Sequence, residues 1–105
     1  MPKPKIDLPQ TEIAQFCQRW QITEFALFGS VLRHDFQPDS DIDVLVTFDS
    51  EAQWSLFDHV EMQDELRAIL GRPVDLLTRK SIERSQNYLR RQAILDSAEV
   101  VYAVP

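Results

Sequence analysis

The chain is 105 residues long, 44% hydrophobic and 27% charged, with two glycines, six prolines and one cysteine, which suits one domain spanning residues 1–105 behind a flexible tail at 1–8. A formal net charge of −6 argues against nucleic-acid binding through phosphate neutralisation. No apolar run approaches the ~18 residues of a membrane span and no hydrophobic segment follows the Pro/Lys start, so the expectation is a cytoplasmic protein without membrane contact.

Ile13, Phe16, Cys17 and Trp20 fall at i, i+3, i+4 and i+7 and predict an amphipathic helix, with Asp7 or Thr11 to cap it and Pro9 in its first turn. A lone Cys17 on that stripe excludes an internal disulfide and reads as a small buried hydrophobe. The run Phe25-Ala26-Leu27-Phe28, stopped by Gly29-Ser30, predicts a buried strand feeding a turn. A brief helix is expected over 31–35 and turn chemistry over 37–40. From Asp41 a strand follows, with Ile42, Val44, Val46 and Phe48 on one side and Asp41 and Asp43 on the other.

Ser55 and Asp58 form a capping-box pattern opening a helix whose apolar members are Leu56, Phe57, Val60, Leu66, Ile69 and Leu70; Gly71 and Pro73 end it. A short strand is expected at Val74-Asp75-Leu76-Leu77. One helix is expected over 81–97, with Ile82, Leu89 and Ala93 on one stripe, and a last strand or docked tail at Val100-Val101-Tyr102. Alternating helices and strands with short connections make this an α/β (α+β) chain, a small sheet flanked by helices. Trp20, Trp54, Tyr88 and Tyr102 read as core or partner contacts, and His34 and His59 as surface or helix-end residues.

Charge is polarised along the chain. Residues 35–65 hold ten acids and no Lys or Arg, whereas 79–91 hold Arg79, Lys80, Arg84, Arg90 and Arg91 against Glu83 alone.

On one strand face Asp41 and Asp43 would stand about 6.5 Å apart. At an effective dielectric near 20 they repel by roughly 2.5 kcal/mol, which a bound cation relieves. Asp75 interrupts an apolar strand, where an unpaired buried carboxylate is costly. If that strand lies beside the Asp41 strand, three carboxylates converge, a hard oxygen set suited to Mg²⁺. A calcium loop beginning at Asp39 is excluded, because Val44 stands where glycine is needed and Ser50 where glutamate is. Gly29-Ser30, at a strand-to-helix turn, is ordinary loop chemistry or a phosphate cradle.

Together, Gly29-Ser30, ten intervening residues and Asp41-Ile42-Asp43, with a lone aspartate in a later strand, resemble the DNA polymerase β-like nucleotidyltransferase superfamily. The chain looks most like its minimal nucleotidyltransferases, the MntA-like antitoxins encoded beside HEPN-domain toxins, over roughly 25–102. Leu32 and His34 depart from the family's usual small residue and glycine. The resemblance implies a mixed β-sheet flanked by helices in the polymerase β-like fold. It implies Asp41, Asp43 and Asp75 as catalytic ligands of two Mg²⁺ ions, and Gly29, Ser30, Arg33 and Ser40 at the nucleotide. Arg33 would serve a phosphate or a neighbouring aspartate.

The implied function is that of an antitoxin transferring AMP from ATP to a hydroxyl, a tyrosine by the resemblance, of a cognate HEPN ribonuclease toxin in a hetero-oligomer. Two rivals stand beside it, a small-molecule transferase of the aminoglycoside-modifying kind and an antitoxin that blocks its partner sterically. The basic residues Arg84, Arg90 and Arg91 are the candidates for docking an acidic partner, steering of ATP being the other task open to them.

Overall fold

A computed structural model describes residues 8–29 and 41–104. The elements in chain order are α1 (Gln10–Arg19), β1 (Ile22–Phe28), β2 (Ile42–Phe48), α2 (Leu56–Leu70), β3 (Val74–Thr78), α3 (Arg79–Glu83), α4 (Tyr88–Ser97) and β4 (Glu99–Ala103). The expected tail, the helix at 31–35 and the turn at 37–40 lie wholly or almost wholly outside the described residues, and so does His34.

The four strands form one sheet in the order β3-β2-β1-β4. β1 runs antiparallel to both β2 and β4, while β2 and β3 are parallel, so the sheet is mixed as expected. A parallel pair needs a crossover, and α2 supplies it. Period-two alternation then divides the core. Ile42, Val44 and Val46 of β2, Phe25 and Leu27 of β1, and Val74 and Leu76 of β3 pack against Ile13, Phe16 and Cys17 of α1 and Met62 and Leu66 of α2. On the opposite face Ala26, Phe28 and Leu45 pack against Ile82 of α3 and Ile94 of α4.

Helix α1 starts on Pro9, whose carbonyl accepts from Ile13 N at 3.0 Å with no side-chain cap bond. Pro9 is thus the capping residue and not part of the first turn, and Thr11 lies inside the helix. Burial pushes the Cys17 thiol from 9.0 up to about 12, which keeps it protonated and inert, as a small hydrophobe should be. Trp20 and Trp54 meet edge to face at 5.1 Å, and Trp54 Nε1 donates to the Trp20 carbonyl at 2.9 Å. Arg19 and Trp20 both reach Glu65 of α2, tying the two helices together.

The capping box of α2 forms as expected, Ser55 accepting from Asp58 N and Asp58 from Ser55 N, and Gly71 closes the helix at φ 69°. Its apolar arc is narrower than expected. At about 100° per residue, Leu56, Phe57 and Val60 lie roughly 100–160° from the buried Met62–Leu66 stripe, and they are 78%, 86% and 53% exposed.

The helix expected over 81–97 is two helices. Ser85 Oγ accepts from Asn87 N at 3.2 Å and Asn87 Oδ1 from Arg90 N at 3.1 Å, so polar side chains take the backbone donors of Asn87 and Arg90 and open a new helix at Tyr88. The predicted stripe dissolves with the break, since Leu89 is 79% exposed while Ile94 takes the buried position. β1 is longer than its apolar run suggested, because Ile22 and Glu24 pair with Phe48 and Thr47 of β2 and Glu24 also pairs with Ala103 of β4. The C-terminal segment is a strand, β4. Among the described residues no helix is long and apolar enough to cross a membrane.

The outer edge of β3 is sealed by α2. His59 Nε2 donates to the Leu76 carbonyl at 3.0 Å and Gln63 Oε1 accepts from Leu76 N at 3.2 Å. Both outward backbone groups of that edge residue are thereby satisfied. Replacing His59 and Gln63 together by alanine is expected to cost about 1–3 kcal/mol in urea unfolding; an unchanged midpoint would mean that water serves the edge equally well.

Candidate active site

Asp43 and Asp75 are both second residues of their strands, and the parallel register sets them directly opposite each other. Neighbouring strands lie about 4.8 Å apart, so the two side chains rise side by side from the same face. Alternation fixes which face. Ile42, Val44, Val74 and Leu76 point at α1 and α2, so Asp43 and Asp75 emerge on the side of α3 and α4, beyond Leu45. Asp43 is half-buried and Asp75 exposed.

Asp41 stands one residue ahead of β2 and is exposed; the strand begins at Ile42, whose N–H donates to the Pro73 carbonyl at 2.9 Å. That bond carries the β2–β3 ladder to the strand starts and holds the segment bearing Asp41 beside the segment bearing Asp75.

On its other side Asp43 faces Phe28 of β1, and Gly29 follows at once. Gly29 has φ +77°, and a Cβ built on it would lie 2.2 Å from Asp43 Oδ2. Only glycine satisfies both the left-handed backbone and the closeness of that carboxylate. The sequence marked Gly29 for a phosphate turn; its role in making room for Asp43 lay beyond the reach of local pattern, although the Gly-Ser-to-Asp spacing was a signal for it.

Two like charges in register repel by about 3 kcal/mol at 5 Å and an effective dielectric near 20, less where water reaches Asp75. Such a pair of hard oxygen donors at a sheet end fits a divalent cation of the Mg²⁺ type, which keeps waters and shares phosphate ligands. Among the described residues no three His, Cys, Asp or Glu side chains stand together as a group that could hold a metal ion, so the in-register pair is not joined by Asp41 in a three-carboxylate cluster. Ser30, Arg33 and Ser40 fall outside the described residues.

The basic residues have separate employments. Arg79 pairs with Glu24 at 3.6 Å and Glu83 at 3.5 Å. Arg91 donates to the carbonyls of Glu83 at 3.3 Å and Ser85 at 3.4 Å and lies over the Tyr88 ring at 5.3 Å, so it braces the break between α3 and α4. Lys80, Arg84 and Arg90 are exposed and make no ion pair among the described residues.

Gly29→Ala is expected to lower stability by about 1–3 kcal/mol and to displace the Asp43 carboxylate. Thermal melting and the NMR shifts of the Asp43 carboxyl check this, and a variant that matches the parent in both would show the contact to be loose.

Residues 12–101 match the family model described as a nucleotidyltransferase domain. The chain is 36% identical over 66 residues to the protein adenylyltransferase MntA of Thermococcus cleftensis, covering 63% of this chain and 65% of that protein. It is 41% identical over 64 residues, 61% of this chain and 64% of the relative, to a Methanocaldococcus jannaschii protein assigned provisionally as a protein adenylyltransferase. The matched segment thus spans a little under two thirds of these relatives. A solved structure assigned provisionally as a minimal nucleotidyltransferase superposes with a TM-score of 0.65 at 29% identity, covering 86% of both chains. A toxin–antitoxin structure with AMP-PNP superposes at 0.69 and 19% identity, over 92% of this chain and 75% of that one, a likeness of fold. With the family model spanning most of its length, the chain belongs to the nucleotidyltransferase domain family.

Proposed function

We propose that this protein, a single domain over residues 1–105, is an antitoxin that transfers AMP from ATP to a tyrosine hydroxyl of a cognate HEPN toxin. The observation that carries the reading is the in-register pairing of Asp43 with Asp75 against the left-handed Gly29. Support comes also from the relative named protein adenylyltransferase MntA and from the likeness to a toxin–antitoxin structure with AMP-PNP.

In this reading the acceptor oxygen attacks the α-phosphorus in line. A P–O bond forms to the acceptor, the bond to the bridging α,β oxygen breaks, and pyrophosphate leaves with its electron pair. Asp41, Asp43 and Asp75 would hold two Mg²⁺ ions, which when bound supply Lewis acidity to the attacking hydroxyl and charge neutralisation to the triphosphate. Asp75, the exposed member of the pair, accepts the hydroxyl proton. Gly29 and Ser30 hold triphosphate oxygens through backbone N–H groups, with Ser40 and Arg33 adding contacts to the nucleotide. Arg84 and Arg90, with Arg91 setting the local backbone, offer charge to an acidic partner surface.

The test is incubation with α-labelled ATP, Mg²⁺ and the toxin, read by mass spectrometry. AMP is expected on a toxin tyrosine, with Asp43→Ala and Asp75→Ala each slowing transfer a hundredfold or more and EDTA abolishing it. A protein that silences the toxin with both aspartates replaced and no AMP attached would be a steric blocker, and the transferase reading would fall.

A further inference from the structure

Among the described residues two exposed apolar faces, on α2 and on α4, carry opposite charge. On α2, Val60 neighbours Leu56 four residues before it and Phe57 three residues before it, and the next turn adds Glu61 and Asp64. On α4, Tyr88 and Leu89 are 58% and 79% exposed, with Arg90 beside them and Arg84 at the end of α3 just before. Glu61, Arg84 and Arg90 have no ion-pair partner among the described residues. The five apolar side chains leave roughly 600 Å² in water, near the ~800 Å² a side that a standard protein interface buries.

We propose that two copies of this chain associate, the acidic apolar face of α2 in one seated on the basic apolar face of α4 in the other. The proposal rests on the reading that Arg84 and Arg90 dock an acidic surface, and it names that surface as α2 of a second copy. A two-fold axis makes the contact twice, so all five side chains of each protomer are covered. The apolar residues supply most of the affinity, since exposed ion pairs add little; Glu61 and Asp64 against Arg84 and Arg90 fix orientation and partner choice.

Sedimentation of the purified full chain from about 1 µM to 1 mM tests this, a window set by weak to moderate interfaces. The expected result is a concentration-dependent rise to twice the 12.2 kDa chain mass, weakened by added salt. Phe57→Glu and Leu89→Glu should each weaken association tenfold or more, with unchanged circular dichroism showing the fold intact. Glu61→Arg alone and Arg90→Glu alone should each weaken it too, while an equimolar mixture of these two restores it, because both contacts are then complementary. A monomer at every concentration, a dimer indifferent to these variants, or a mixture no stronger than its components would each overturn the proposal. If Arg90→Glu severs a complex with the toxin yet leaves self-association unchanged, the face serves that other partner; the proposal then fails while the transferase reading stands.

Discussion

The candidate site depends on the register of two parallel strands. A slip of β3 by one residue against β2 would turn Asp75 toward α1 and α2 and bring Val74 or Leu76 out beside Asp43. Against that slip stand Val74 and Leu76, buried with Ile42, Val44 and Val46 in the larger core cluster. The crossover acts in the same direction. α2 is capped at both ends, and its His59 and Gln63 grip both backbone groups of Leu76, one residue past Asp75. The apolar side of the sheet therefore sets the position of the carboxylates on the other side.

How much of this was legible in the sequence varies with the range of the interaction. The capping box at Ser55 and Asp58 and the left-handed Gly71 are local, and they formed where the pattern placed them. Alternation along β2 is local too, and it sorted Ile42, Val44 and Val46 from Asp43 correctly. The break at 84–87 was missed because an apolar count ignores the competition of Ser85 and Asn87 for backbone donors. Leu56, Phe57 and Val60 were counted with the apolar members of α2, but the sheet beneath the helix meets only one stripe of it, and that stripe belongs to Met62 and Leu66. The pairing of Asp43 with Asp75 joins residues separated by a strand and a helix, so from sequence it could be stated only on the condition that the strands were neighbours.

Electrostatics separates along the same lines as structure. The acidic stretch supplies the strand start at Asp41 and Asp43 and the solvent face of α2, while the basic stretch supplies α3 and α4, on the sheet face from which Asp43 and Asp75 emerge. Arg79 and Arg91 are drawn into local pairs that hold α3 and its junction with α4. Arg84 and Arg90 are left facing water, although a chain of net charge −6 has carboxylates in excess. Neither cation stands against the Asp43–Asp75 pair as an ion-pair partner, so the pair's repulsion is not relieved by these two.

Two carboxylates in register beside a left-handed glycine are features of this sheet end that packing alone does not call for. Hydrophobic residues at 43 and 75 would extend the smaller cluster of Ala26, Phe28 and Leu45. Instead the chain keeps two like charges in register and a left-handed glycine pressed to one of them. Sites that bind and react often keep such locally unfavourable arrangements, held in place by structure that is stable elsewhere. Here the stable part is the face packed on α1 and α2, and its two residues per strand turn are what allow one side of β2 and β3 to carry the core while the other carries the carboxylates.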